Sequence, residues 1–403
     1  MTDQWTALAV ADLIVPVSVA GKDKVQTSDY MPSGRFPIID QGQSAIAGWT
    51  DNECAVIFEP LPLIVFGDHT RAFKYVDTPF ARGADGTQLM RPNDEVDPRF
   101  FYFACLALDL PARGYNRHFT SLKEKIVHFP VALDEQRAIA AVLDVLRSGA
   151  SIEARTERAL EELKAAAMGE LFSRGLRGEE QKDTEVGRVP QSWEVAPLGD
   201  YTTRTQYGLS VRGLPEGKYP ILRMNCQLDG RVLFRDLQYV NLSEREFADF
   251  RLEEGDLLFN RTNSYELVGR MAIFEGERDA VFASYLVRVT LNQAELIPRF
   301  VNYYFNQAGV QAGLRSLASR GVSQANINAT KLRGVHIPKP SLDEQREIVA
   351  ILDTIDRKID LLRRKRALLD ELFKSLLHKL MTGEVRVSDL DLSALPPSSE
   401  ASP

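Results

Sequence analysis

The chain has one adjacent acid–imidazole pair, Asp68-His69 in the loop GDHTR (Gly67 to Arg71), and acid–base chemistry would start there. A base of this kind works on a nucleophile held beside it. Here the neighbours are Thr70 and Arg71, and no nucleophile is attached to the pair. The five histidines (His69, His118, His128, His336, His378) and three cysteines (Cys54, Cys105, Cys226) show no zinc-ligand spacing. There is no G-x-x-x-x-G-K-[ST] loop, no dinucleotide or S-adenosylmethionine fingerprint after a strand, and no N-P-P-[YFW]-type methyltransferase motif. A carboxylate cluster with a downstream lysine, as in metal-dependent nucleases, cannot be assigned. Asn260-Arg261-Thr262 matches a glycosylation sequon by chance, since nothing sends the chain out of the cell. The sequence reads as a binder without catalytic or metal-ligating residues.

What remains is hydrogen bonding. The buried-strand run Leu63-Ile64-Val65-Phe66 leads into GDHTR and then the strand-like AFKYV. Asp256-Leu257-Leu258-Phe259 leads into NRTNSYE (Asn260 to Glu266) and then GRMAIF. Each is a strand ending in Phe, a loop of donors and another strand. A rigid sheet holding such loops is where recognition residues belong. Asn and Arg make bidentate bonds to adenine and guanine edges, while His, Thr and Ser contact bases or phosphates. Asn, Thr and Ser are also ordinary turn formers. It is the occurrence of two equivalent loops that favours readout.

These loops are positioned by a duplicated chain. LDEQRAIAAVLDVL from Leu133 recurs as LDEQREIVAILDTI from Leu342, an offset of 209 residues that carries on to Glu162-Leu163 and Glu371-Leu372. Val127-His128-Phe129-Pro130 matches Val335-His336-Ile337-Pro338 at 208, Arg99-Phe100 matches Arg299-Phe300 at 200, and Trp5 matches Trp193 at 188. The offset grows steadily along the chain, as a duplication with insertions in its second copy requires. Each copy reads as a mixed α/β module followed by a long helix.

In the second copy Ile348, Leu352, Ile355, Ile359, Leu362, Arg366, Leu369, Phe373, Leu376 and Leu380 alternate in steps of four and three, a coiled-coil seam with one charged interruption. Ser341 is placed to cap this helix, Asp343 and Glu344 suit its first turn, and Gly383 is a natural stop. Some 39 residues give a rod of roughly 58 Å. The first copy is a weaker seam. Ile139, Leu143, Leu146, Ala150, Leu160 and Ala167 fit it, but Glu153, Glu157 and Lys164 stand at equivalent positions, and Gly149 and Gly169 interrupt it. A long helix cannot hide an apolar stripe alone, so the simplest arrangement packs the two against each other. The alternative is a separate homodimeric coiled coil for each.

The chain has 403 residues, enough for two or three domains, with 44% hydrophobic and 26% charged residues, as in a soluble globular protein. No apolar run approaches ~18 residues, the start is not a signal peptide, and three isolated cysteines suit a reducing cytosol. The net charge of −7 argues against a nucleic-acid partner only until the charge is located. From Leu296 to Leu342 there is no acid, while Arg299, Arg315, Arg320, Lys331, Arg333 and Lys339 are present around GVSQANINATKLRG. Leu110 to Leu133 holds one acid, Glu124, against Arg113, Arg117, Lys123 and Lys125. Both windows suit a phosphate backbone.

The duplicated LDEQR helices, FGDHTRAFKYV, GYNRHF, LLFNRTNS-ELVGR and LMTGEVRV together resemble the specificity subunits of type I restriction–modification systems, from Trp5 to about Val387. The resemblance implies two target-recognition domains of mixed α/β fold (1–132 and 193–341), separated by two long antiparallel helices (133–178 and 342–383). A linker (179–192) and a disordered tail (384–403) complete the division. It also implies that each domain reads one half of a bipartite, asymmetric double-stranded DNA site, the helices setting the spacer. Two modification subunits would methylate adenine N6 with S-adenosylmethionine. Two restriction subunits would translocate and cleave with ATP and Mg. The chain itself would be a cytoplasmic, non-catalytic subunit with no cofactor, metal or membrane of its own.

Carried onto the matching loops, the resemblance implies DNA contacts from Gln41, Gln43, His69, Thr70, Arg71, Asn116, Arg117 and His118 in the first domain. In the second it implies Arg223, Asn225, Asn260, Arg261, Thr262, Asn263, Ser323, Gln324 and Asn326, with Arg320 and Lys331 from the basic window. Asp68 is expected to orient Arg71 rather than face DNA. Three other readings remain open from sequence. They are a DNA-binding regulator dimerising through its coiled coil without a methyltransferase, a structural adaptor whose polar loops bind protein, and the recognition subunit of a system with fused modification and cleavage. A copurifying subunit that binds S-adenosylmethionine, salt-sensitive duplex binding and the partner's size discriminate among them.

Overall fold

The computed structural model describes residues 5–19, 21–83, 86–111, 118–276, 278–321 and 324–391. The chain divides into two compact units, Met1–Arg155 with Arg363–Pro403, and Thr156–Leu362. Each holds one mixed α/β domain and part of each long helix, so the mixed α/β architecture with two long antiparallel helices is as expected.

In the first unit an antiparallel sheet runs in the order Ile14–Val15, Thr87–Pro92, Leu63–Gly67 and Phe73–Val76. A second four-stranded sheet (Gly48–Thr50, Phe36–Ile39, Phe80–Arg82, Val56–Ile57) contains one parallel pair. The Leu63–Gly67 strand is buried along its whole length, as its unbroken apolar run requires. In the second unit the equivalent strand, Leu257–Asn260, lies inside a six-stranded sheet between Leu286–Leu291 and Met271–Ile273. The duplication is also visible at the domain edges. Trp5–Ala9 pairs antiparallel with Ile126–Pro130, and Glu194–Pro197 pairs antiparallel with His336–Lys339.

The long helices span Leu133–Arg174 (42 residues) and Leu342–Met381 (40 residues), about 63 and 60 Å at 1.5 Å per residue. The Ser341 hydroxyl accepts from the Glu344 amide at 3.3 Å, so the expected cap forms. Both helices stop at a glycine of positive φ, Gly175 (+60°) and Gly383 (+71°), each against a tryptophan. A Cβ on Gly175 would come within 2.7 Å of Glu344 Oε1 and 3.0 Å of Trp193, so alanine does not fit there.

The pairing is antiparallel and within the chain. In the first unit Gly149 faces Leu369, and Glu153 pairs with Lys365. In the second, Lys164 lies 2.6 Å from Asp356. Ile139, Leu143, Leu146, Ile348, Leu352, Ile359, Leu362 and Leu380 are buried, while Leu160, Ile355, Leu369, Phe373 and Leu376 are half-buried. The interruptions of the first seam have a physical reason. Glu153 and Glu157 are 8% and 7% exposed, and Glu153 and Lys164 meet opposite charges on the second helix. Buried ion pairs stabilise little in themselves, but a shifted register would strand them unpaired.

The duplicated LDEQR element clamps domain to helix in both units. Gln136 Nε2 donates to Glu95 O (3.0 Å) and Pro130 O (2.8 Å), and its Oε1 accepts from the Asp97 amide (2.7 Å). Gln345 repeats this with Glu295 O (2.9 Å), Pro340 O (3.0 Å) and the Ile297 amide (2.8 Å). Both glutamines are wholly buried. Gln345→Leu is expected to orphan three backbone groups at about 1–3 kcal/mol each when no water reaches them. Denaturant unfolding should show a loss of at least that size, and an unchanged midpoint would contradict the clamp.

The segment 179–192 forms a hairpin, Gln181–Thr184 with Gly187–Pro190, and Val189 and Trp193 enter the second unit's core. Val387 and Leu390 pack on the first unit's core. Residues 392–403 lie outside the described residues.

Candidate nucleic-acid interface

In the first domain, candidates far apart in sequence meet at the end of Leu63–Gly67. The Thr70 hydroxyl donates to Gln41 O, joining the Gln41 turn to the GDHTR loop. Lys74 Nζ holds the same turn through Asp40 O (2.8 Å), and burial pushes its ammonium pKa down despite the Asp40 carboxylate. Asp68 does not orient Arg71. It is 3% exposed, and its Oδ1 accepts from the amides of His118 and Phe119, both at 2.7 Å, capping the turn Phe119–Lys123. His118 is itself buried, its Nδ1 2.8 Å from Asp68 O. Arg71, at φ +61°, donates from Nη1 to Leu110 O. Thr70, Arg71 and His118 therefore carry scaffold bonds, whereas Gln43 is exposed and His69 half-buried. Asn116 and Arg117 lie outside the described residues.

In the second domain the fold joins two candidate segments sixty residues apart. Thr262–Asn263 pairs antiparallel with Ala325–Asn326, which pairs in turn with Ser319–Arg320. Asn326 Nδ2 donates to the Thr262 hydroxyl at 2.6 Å, and Asn263 Oδ1 accepts from the Ser264 amide at 2.8 Å. Thr262, Asn263, Asn326 and the Arg320 backbone thus belong to one small sheet, with Gln324 just before its middle strand, its carbonyl accepting from the Gly321 amide. Ser323 lies outside the described residues. Lys331 is exposed, its ammonium donating to Leu317 O (2.7 Å) and Ser319 Oγ (3.1 Å).

Arg261 is half-buried; its Nη1 donates to Ser284 O at 3.1 Å and its guanidinium lies 4.8 Å from the Tyr207 ring centroid. Asn260 is 1% exposed, inside the strand end, with its Oδ1 unpartnered. Its depth leaves Arg261, Thr262 and Asn263, all half-buried, as the reachable candidates of this loop. Arg223 and Asn225 sit on a separate turn, Met224–Cys226, where Arg223 Nη2 donates to Asp236 O at 2.8 Å.

Sequence reasoning missed Tyr207 and Tyr285, 44% and 42% exposed; the ring of the first lies under the Arg261 guanidinium and the carbonyl of the second accepts from the Arg261 amide. Their signal was present as lone tyrosines in Gly-flanked or strand-edge positions, but only the fold brings them to the loop. The basic windows also divide. Arg299 binds Asp353 and Glu275, and Lys339 binds Glu194 and Glu295, so these charges face acids of the same unit. Among the described residues no group of three or more His, Cys, Asp or Glu could hold a metal ion, and no helix is long and apolar enough to cross a membrane.

The class of protein that this duplicated fold defines is also met by comparison. Residues 190–371 match the family model of the type I restriction modification DNA specificity domain. The chain is 31% identical over 204 residues to a putative type I restriction enzyme MjaX specificity subunit of Methanocaldococcus jannaschii, covering 50% of this chain and 48% of that protein. It is 25% identical over 352 residues to the EcoR124I/EcoR124II specificity subunit of Escherichia coli, covering 82% of each. The chain spans about half the length of the first of these relatives. The fold matches the crystal structure of a type I S subunit from M. genitalium with a TM-score of 0.64, at 17% identity, over 94% of this chain and 96% of that one. The resemblance to type I specificity subunits read from the motifs therefore holds.

Proposed function

We propose that this chain is the DNA-recognition subunit of a type I restriction–modification complex, without catalysis of its own. The observation that carries the reading is that each duplicated domain gathers distant polar loops at the end of one buried strand. Each domain reads one half of a bipartite, asymmetric double-stranded DNA site. The reachable donors are Gln43 and His69 in the first, and Arg261, Thr262, Asn263, Gln324 and Asn326 in the second, with Tyr207 and Tyr285 beside them. The two long helices set the spacer, since half-sites read from one face lie near a helical turn apart, about 34–36 Å. Two modification subunits supply S-adenosylmethionine and methylate adenine N6 in the cytoplasm. Two restriction subunits supply ATP- and Mg-dependent translocation and cleavage.

Genome-wide mapping of N6-methyladenine with and without this chain tests the reading. One bipartite motif should vanish when the chain is removed, and an unchanged methylation map contradicts it. Within the motif, Arg261→Ala removes a contact worth about 1–3 kcal/mol of base discrimination if it is bidentate. The half-site read by the second domain should relax and the other stay unchanged. Loss of specificity in both halves by a folded variant would overturn the modular assignment.

A further inference from the structure

The two domains are seated on the helices by different chemistry at corresponding positions. One contact is common. Arg99 binds Asp144 (Nε to Oδ2 2.7 Å) in the first unit, and Arg299 binds Asp353 (Nε to Oδ1 2.6 Å) in the second. Beside it three positions change together. In the first unit Phe103 packs on Phe373, ring centroids 6.0 Å apart, and Arg147 lies on the Tyr102 ring and hydroxyl. The duplication offsets carry Phe103 to Tyr303, Phe373 back to Lys164, and Arg147 to Asp356.

In the second unit Asp356 lies 2.6 Å from Lys164 Nζ, 2.7 Å from the Tyr303 hydroxyl and 3.8 Å from Arg231. Tyr303 also lies 2.6 Å from Asp353, and its one proton serves one carboxylate at a time. Burial and the two carboxylates push the Tyr303 phenol upward, so it stays a donor. Arg231 closes the set on Asp360. One seat is aromatic and cationic; the other is centred on an acid.

Apolar burial is non-directional, whereas a buried carboxylate with three partners is satisfied in one geometry. We propose that Asp356 is a positioning residue for recognition: through Lys164, Tyr303 and Arg231 it fixes the second domain on the helices and so confines the DNA spacing that domain accepts. This rests on the bipartite reading above and adds the element that sets its tolerance.

The test uses the full-length chain with Asp356→Asn, selected against a duplex library randomised over about three helical turns, ~30 base pairs. Wild type should return two half-sites at one spacing, and Asp356→Asn the same half-sites spread over neighbouring spacings. A merely structural role would lower total recovery and leave the spacing sharp, which overturns the proposal. Recovery of the first half-site alone also overturns it, placing Asp356 in the domain's folding. Should Asp356→Asn fail to fold, Tyr303→Phe, which removes only the hydroxyl, carries the same expectation and the same two contradictions. If wild type itself returns no bipartite site, the failure belongs to the proposed function and not to the seat.

Discussion

Arg288→Met is expected to cost the second recognition domain about 3–5 kcal/mol, the range for removing one partner of a buried ion pair. Arg288 stands in the middle of Leu286–Leu291, between the strands Thr202–Tyr207 and Leu257–Asn260, and is 2% exposed. Its guanidinium donates to Arg251 O (2.7 Å), Asp249 O (3.0 Å) and the Gln206 side chain, and lies 3.5 Å from Asp256 Oδ2. Burial pulls its pKa down, with Asp256 opposing. Asp256 is 3% exposed and also accepts from the Thr290 hydroxyl (2.6 Å) and the Glu253 amide (2.9 Å). Methionine leaves this carboxylate buried with its counter-charge gone and removes the side-chain donor of Arg251 O, while Asp249 O keeps Arg204 and Gln206. A domain of this size has ~5–15 kcal/mol to lose, so the variant should be marginal. Denaturant unfolding followed by domain-resolved hydrogen exchange checks it. Protection should fall in Thr202–Leu291 and be unchanged in the first unit's sheets. Arg288→Met/Asp256→Asn should be less damaged than the single variant, because the stranded charge is removed. A loss below about 1 kcal/mol would mean that water reaches the pair.

Arg288 also shows where sequence reading runs out. In LVRVTL an arginine at alternating spacing reads as the solvent face of a strand. What makes that position interior is tertiary: the segment Asp249–Arg251, nearly forty residues earlier, meets the guanidinium through two carbonyls beside Asp256. The long helices were legible because a repeat and a seam are local in sequence, and so were their caps at Ser341 and Gly383. The charged positions Glu153 and Lys164 read as flaws in a seam because their partners, Lys365 and Asp356, lie about 200 residues away. The same limit applied to the sites. Loop composition pointed to NRTNSYE and to VSQAN separately, but the pairing of Thr262 with Asn326 and the approach of Tyr207 to Arg261 are tertiary facts. Local charge was the less dependable guide. It counted Arg299 and Lys339 toward a DNA face, and both are engaged by acids of their own unit.

The largest functional effect is expected from changing the length of the long helices. The chain passes between its two units at Arg155–Thr156 on one helix and at Leu362–Arg363 on the other. On each helix the point falls between the ion pair of the first unit, Glu153 with Lys365, and that of the second, Lys164 with Asp356. A heptad added at both points leaves every contact described within either unit on its own side of the insertion. It adds about 10.5 Å to each helix and turns its face by only ~20°. At 3.4 Å per base pair the increment corresponds to about three base pairs. A heptad in one helix alone should instead make the pairings Glu153–Lys365 and Lys164–Asp356 incompatible, so that one of them is lost with no gain of reach.

Genome-wide mapping of N6-methyladenine in cells carrying the doubly lengthened chain is the most direct test that these helices set the spacing between two independently read half-sites. The account predicts both half-sites unchanged in sequence and the spacer between them longer, by up to about three base pairs. The same two half-sites at the original spacing would contradict it.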